Sequence, residues 1–157
     1  MIKLERVINM SDIELTQKEA DYLFEMEKIA SDNDERVFPT MGMKIEVPLT
    51  SADKKNKFIL DISRGTINLQ KIKYQNRTRQ IITLARLDLY GSPHRNPDGA
   101  EIPSCHLHKY TEGYGDKWAY QVPEDKFVHL NDQWRTLQDF MNFCNVIKKP
   151  NIKQVMF

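Results

Sequence analysis

Apolar positions recur every three or four residues near the start of the chain, where Tyr22, Leu23, Met26, Ile29 and Ala30 form one stripe. That is the period of an amphipathic helix. Thr16, with Glu19 three residues later, has the form of a capping box, and Leu15 before the cap can staple onto Ala20. The spacing predicts a helix over 12–30. A second stripe of Trp134, Leu137, Phe140, Met141 and Cys144 follows Asn131 or Asp132 as cap and predicts a helix over 131–147. The run KKPN stops it, and IKQVMF beyond is long enough for one short strand.

Between these stripes the period falls to two, and all the longer strands are expected within 44–122. KIEVPL alternates, and its Pro48 suits an edge strand. KFILDI and TINLQKIKY flank Ser63-Arg64-Gly65, which reads as a tight hairpin turn. HLHKY and KWAYQV are joined by TEGYGD, whose two glycines signal another hairpin. The middle hairpin is unusual, because both of its strands change phase. Ile67 and Leu69 give way to Ile72 and Tyr74, and Ile82 and Leu84 give way to Leu87 and Leu89. A turn centred on Arg77 would set Ile72 opposite Ile82, Leu69 opposite Ala85 and Ile67 opposite Leu87. The pattern thus predicts one long bent hairpin over 66–90, with irregularities near 69–72 and 84–87. The expected fold class is α+β: one domain over 1–157, an antiparallel meander of about five to seven strands with a helix at each end.

Composition narrows the classes. A chain of 157 residues buries a core without disulfide or metal staples. No apolar run approaches the roughly 20 residues that span a bilayer. The opening MIKLERVINMSDIEL carries acids and no unbroken apolar run, unlike a signal peptide. The expectation is a soluble cytoplasmic protein without membrane contact. Cys105 and Cys144 are too few for a disulfide framework, and Cys144 reads as a small buried hydrophobe.

The net charge of +1 conceals a strong asymmetry: residues 1–43 balance at −5, residues 44–95 at +7 and residues 96–157 at −1. The basic middle suggests a positive face for phosphate or another polyanion. Residues 64–95 hold seven Lys/Arg against the single acid Asp88. Lys71, Lys73, Tyr74, Arg77, Arg79, Arg86 and Arg95 are the candidate partner-binding residues, with arginine forking onto phosphate and tyrosine stacking on an unpaired base. The alternative is a solvated edge whose charges prevent aggregation. Exchanging both Arg77 and Arg79 for glutamate is expected to weaken partner binding and leave thermal stability nearly unchanged.

The segment SPHRNPDGAEIPSCHLHKY holds three of the four histidines. His106 and His108 fall on one face of a strand and could join His94, Asp98 or Cys105 at a metal. They could equally act as acid and base on RNA, with His94, His106 and His108 as the catalytic candidates. The third reading is structural: an ordered loop, built on Asn96-Pro97-Asp98-Gly99, in which the imidazoles satisfy the backbone or the carboxylates of Asp98, Glu101 or Asp116. The structural reading is adopted, with no metal and no cofactor. The chain has no phosphate-cradling or dinucleotide glycine pattern, no Gly-x-Ser-x-Gly and no His-Glu-x-x-His, which argues against those enzyme classes.

RLDLYGSPHRNPDG and HLHKYTEGYGDKWA, within a match over about 58–122, resemble a family of uncharacterised bacterial and phage proteins. The resemblance implies no catalytic residue; it implies a setting in mobile elements and in conflict between phage and host. The expected function is binding of nucleic acid or a nucleoprotein through the basic hairpin, as an anti-CRISPR-like inhibitor of a host defence complex. The alternatives are a toxin-type, metal-independent endoribonuclease and a binder of a small anionic signal nucleotide.

Overall fold

The capping box fixes where the first helix begins. Thr16 Oγ1 accepts the Glu19 N–H at 3.1 Å, and the Glu19 carboxylate accepts the Thr16 N–H at 3.4 Å. The helix α1 runs Gln17–Glu25 in this computed structural model, which describes residues 14–155. It is shorter than the apolar stripe predicts. Residues 12 and 13 lie outside the described range, and at the other end Met26 leaves helical geometry with ψ 135°. Ile29 and Ala30 belong instead to strand β1 (Lys28–Ala30). The sheet, which pairs this strand on both of its edges, overrides their local helical spacing.

The chain continues through β2 (Arg36–Val37), β3 (Lys44–Ser51), β4 (Lys57–Arg64), β5 (Ile72–Thr78), β6 (Ile82–Leu89), β7 (His94–Arg95), β8 (Glu101–Ile102), β9 (His106–Lys109) and β10 (Ala119–Gln121). Helix α2 (Gln133–Phe143), β11 (Val146–Lys148) and β12 (Ile152–Lys153) complete it. Asp132 caps α2 by accepting the Arg135 N–H at 3.1 Å. The helix stops short of 147 because Asn145, at φ 60°, turns the chain into β11.

Eight strands form one sheet in the order β10-β9-β6-β5-β4-β3-β1-β11, antiparallel except for the β1–β11 pair. The fold is α+β, with two helices among the described residues, α1 before most of the strands and α2 after them. Six sheet strands come from 44–122. The other two come from segments whose sequence reads as the ends of helices. Two small sheets, β12–β2 and β7–β8, lie apart from the main one.

The middle hairpin departs from the predicted register. Ile72 faces Leu89, Tyr74 faces Leu87 and Thr78 faces Ile82, and the turn falls at Arg79 and Gln80, both left-handed. In β5 the buried residues Ile72, Tyr74, Asn76 and Thr78 alternate without a change of phase. Two polar residues at core-facing positions hid that alternation. Residues 65–71 are a loop rather than strand, in which Ile67 is 97% exposed. Ser63 and Arg64 end β4, and the chain reverses beyond them. Gly65 is required there, because a Cβ on it would stand 2.7 Å from the Asn68 carbonyl oxygen. In β6 the phase change is real. Ala85 pairs with Asn76 and Thr83 with Arg77, leaving Leu84 as the extra residue of a bulge. Ile82 before the bulge and Ala85, Leu87 and Leu89 after it are all buried.

The core holds Val47, Leu49, Phe58, Leu60, Ile62, Ile72, Tyr74 and Leu87 from the sheet, with Leu15, Ala20, Leu23, Leu137, Phe140 and Met141 from the helical segments. Tyr74 packs on Phe140 at 5.9 Å between ring centroids. Polar contacts around Tyr110 tie the start of α1 and the residue before its cap to the end of β9, where Gln17 donates to Tyr110 O at 3.2 Å. The Tyr110 hydroxyl accepts the Leu15 N–H and donates to the Leu15 carbonyl, both at 2.7 Å, across 95 residues. Tyr110→Phe is expected to destabilise the fold by about 1–3 kcal/mol, since both groups of buried Leu15 lose their partner. Urea unfolding checks this, and an unchanged midpoint would mean that water replaces the hydroxyl.

Candidate functional site

Alternation sends every second residue to the face away from the core. Cross-strand pairs place Lys73 beside Asp88, Gln75 beside Arg86, Arg86 beside His108 and Asp88 beside His106. That face is polar across four strands. Toward β4 it is a closed network: Arg77 Nε donates to Asp61 at 2.7 Å, Nη2 donates to its other oxygen at 3.1 Å, and Gln75 donates to the same carboxylate at 2.9 Å. Toward β9 it opens into a pocket of about 240 Å³ lined by Lys71, Lys73, Arg86, Asp88, His94, His106 and His108, with Gly91 to Pro93 at its rim.

The floor of the pocket is built from two short i, i+2 pairs on adjacent strands. Asp88 Oδ2 stands 3.5 Å from His106 Nε2 and 3.5 Å from His108 Nε2. Arg86 Nε donates to the other Asp88 oxygen at 2.8 Å, and Arg86 Nη1 donates to Asp116 at 2.8 Å. Backbone carbonyls orient each imidazole. His106 Nδ1 donates to Pro103 at 2.8 Å, His108 Nδ1 to Asp116 at 2.7 Å and His94 Nε2 to Lys117 at 2.7 Å. A carbonyl oxygen only accepts, so each ring carries its proton on that nitrogen and leaves the other bare when neutral. The three rings stand 4.6–5.7 Å apart between centroids.

Electrostatics keep the cluster polarised. Burial opposes the charge of Asp88, yet the Arg86 guanidinium, bonded to Oδ1 at 2.8 Å, holds its carboxyl below the usual carboxylate range. Burial pulls His106 below the ordinary imidazole value, which keeps it neutral at pH 7. His106 and His108 are 2% and 1% exposed, and His108 Nε2 has no hydrogen-bond partner among the described residues.

The histidine loop is ordered by its own turn. The Gly99 N–H donates to Asn96 O at 2.8 Å, with Gly99 at φ 89°, and the β7–β8 pair closes behind it. Buried Asn96 clamps this loop to β10, donating to Ala119 O at 3.0 Å and accepting the Ala119 N–H at 2.8 Å. Lys71 lies across Gly91, where a Cβ would come within 3.3 Å of its Cε. The absence of that side chain lets the lysine stem reach the pocket rim.

Among the residues singled out from the sequence, Lys71, Lys73, Arg86, His94, His106 and His108 come together here. Tyr74 does not: its ring is buried against α2 and its hydroxyl donates to Gln133 O at 2.7 Å, so it has no face free for a base. Arg77 is held by Asp61 and Glu46, and it also donates to Gln80 O. Arg79 stands at the hairpin turn, 3.8 Å from Glu19. Arg95 is exposed on β7, outside the pocket lining. The carboxylate facing the histidines is Asp88, not Asp98, Glu101 or Asp116. Asp98 accepts from the Ala100 N–H, and the Asp116 side chain takes Arg86. Alternation puts Arg86 and Asp88 on one face of β6, as it does His106 and His108 on β9, but the pairing of these two strands, which brings them together, is not in the alternation.

The segments RLDLYGSPHRNPDG and HLHKYTEGYGDKWA thus meet in one place, supplying Arg86, Asp88, His94 and Asn96 on one side and His106, His108 and Asp116 on the other. No helix among the described residues is long and apolar enough to cross a membrane. No curated protein matches the chain, and no solved structure matches it. Residues 15–146 match the model described as Family of unknown function (DUF6978), and the chain belongs to that family.

Proposed function

We propose that the protein binds nucleic acid, with a backbone phosphate entering the histidine pocket beneath Lys71 and Lys73. One observation carries this reading. Lys71 and Lys73 are exposed at the rim of the pocket, and neither makes an ion pair among the described residues. The arginines of the hairpin, in contrast, face carboxylates of the protein itself. The free positive charge therefore lies at the pocket and not at the hairpin tip. A pocket of about 240 Å³ is smaller than the roughly 300–1,000 Å³ of sites that enclose a whole drug-sized ligand. It suits a phosphoryl group with part of its sugar, leaving the bases outside. We place this activity in the cytoplasm, in phage or mobile-element proteins that block a nucleoprotein of host defence. Support comes from the two motif segments, on which the resemblance to uncharacterised bacterial and phage proteins rests, since they also line the pocket.

Convergence of three imidazoles, each with one nitrogen bare, favours a second reading: cleavage of RNA at the same phosphate. Anisotropy of labelled single-stranded RNA and DNA, read across a salt series, tests both readings. Lys71→Ala with Lys73→Ala is expected to weaken binding at least tenfold and to lower the salt slope by about 2, one for each lost phosphate contact. Binding equal to the parent at low salt would remove the pocket as the interface. Shortened RNA on a gel would establish the second reading.

A further inference from the structure

We infer that Asp88, His106 and His108 form the binding site of a divalent first-row transition metal ion, of the zinc type, whose open positions face the phosphate pocket. The argument rests on acceptors that converge without a donor between them. His106 and His108 each commit their Nδ1 proton to a backbone carbonyl, so both direct Nε2 at Asp88 Oδ2. All three ligand atoms lie within 4.8 Å of one another. Three lone pairs meeting in a buried space repel one another. A single proton satisfies one imidazole and the carboxylate but leaves the second imidazole bare. One cation satisfies all three.

The spacing fits. Ligands at about 2.0–2.2 Å from a tetrahedral zinc stand roughly 3.3–3.6 Å apart, and each imidazole nitrogen is 3.5 Å from the carboxylate oxygen. The surroundings are those of ligating histidines, whose second nitrogen donates to a carbonyl and fixes the tautomer. Arg86 plays the corresponding part for Asp88, holding Oδ1 so that Oδ2 points inward. Two imidazoles and one carboxylate suit zinc, iron, cobalt or nickel better than magnesium or calcium, which prefer oxygen. Three protein ligands also leave at least one position open. That position faces a pocket rimmed by Lys71 and Lys73, where a phosphate oxygen could complete the coordination sphere. The last step rests on the nucleic-acid reading. The metal site itself does not.

The test uses the full chain, stripped with chelator and then freed of it. Titration with Co²⁺ is followed by visible d–d absorption, and Zn²⁺ is followed by calorimetry. One equivalent of each is expected to bind saturably, with a rise in melting temperature on Zn²⁺ addition. Asp88→Asn and His108→Gln, which keep side-chain size, are expected to lose at least tenfold in Zn²⁺ affinity while circular dichroism reports a folded chain. Should either variant unfold, the parent titration still decides. A folded parent with no Co²⁺ spectrum and no saturable Zn²⁺ binding overturns the inference, as do folded variants that bind Zn²⁺ like the parent. Lys71→Ala with Lys73→Ala separates the two claims, because it should keep Zn²⁺ affinity and lose oligonucleotide affinity. Oligonucleotide binding by a parent that takes up no metal sinks only the metal site. Metal uptake without oligonucleotide binding sinks only the nucleic-acid reading.

Discussion

Lys28→Met is expected to lower the unfolding free energy by about 3–5 kcal/mol, a large fraction of the roughly 5–15 kcal/mol typical of a domain. Lys28 is fully buried in β1, and its ammonium donates to Phe24 O at 2.8 Å, Met26 O at 2.9 Å and Cys144 O at 2.8 Å. Those carbonyls close the C-terminal ends of both helices, where backbone acceptors lack intrahelical partners and the helix dipole favours a cation. Nζ also lies 4.8 Å from the centre of the Phe58 ring. Burial pulls its pKa down to about 8, which leaves it protonated at neutral pH. Methionine fills the channel but leaves three carbonyls without a donor, at about 1–3 kcal/mol for each buried group not rescued by water. Equilibrium urea unfolding measures the loss, with exposed Lys18→Met as a control expected within about 0.5 kcal/mol of the parent. A Lys28→Met loss no larger than the control's would mean that the carbonyls do not depend on the ammonium.

The Arg77→Glu variant is expected to lose about 3–5 kcal/mol of stability, the cost of breaking a buried ion pair from one side. This reverses the sequence-based expectation, which treated Arg77 as an exposed hairpin-tip charge. Its guanidinium instead grips Asp61, whose side chain is 3% exposed, with Glu46 at 3.4 Å. A glutamate there would set three carboxylates against one another on the sheet. Arg79→Glu, at the half-exposed turn position, is expected to stay within about 0.5 kcal/mol of the parent. Separate melting curves of the two single variants check the contrast. Equal, small losses in both would show that the Arg77–Asp61 pair contributes nothing net, as some buried pairs do.

The two substitutions share a lesson about charge. Lysine and arginine in a sequence count equally toward a basic region, but their energetic roles depend on what stands opposite. Of the hairpin cations, Arg77 is consumed by Asp61 on the neighbouring strand and Arg86 by Asp88 on its own strand and Asp116 in the turn after β9, while Lys71 and Lys73 make no ion pair among the described residues. The regional balance of +7 over 44–95 therefore does not by itself locate a face, and the interface proposed above lies at the base of the hairpin, where unpaired lysines stand, and not at its tip.

Local chemistry was legible wherever neighbours in sequence decide the outcome. The Thr16–Glu19 box, the Asp132 cap, the Asn96–Gly99 turn and the Gly113–Gly115 reversal all rest on contacts within a few residues. Period-two alternation likewise placed His106 and His108 on one face, and the phase change in 82–89 marked a real bulge. What failed were judgements that need a distant partner. Ile29 and Ala30 fit a helix stripe by spacing, but β3 and β11 draw them into a sheet. Asn76 and Thr78 look like turn residues, but they are core-facing strand positions. The chemistry of the site divides the same way. Sequence alone determined that two imidazoles would stand side by side, because a strand repeats every second residue. Only the tertiary structure decided that Asp88 would face them, since strand order and register are set by core packing summed over the whole sheet and not by any residue in the cluster.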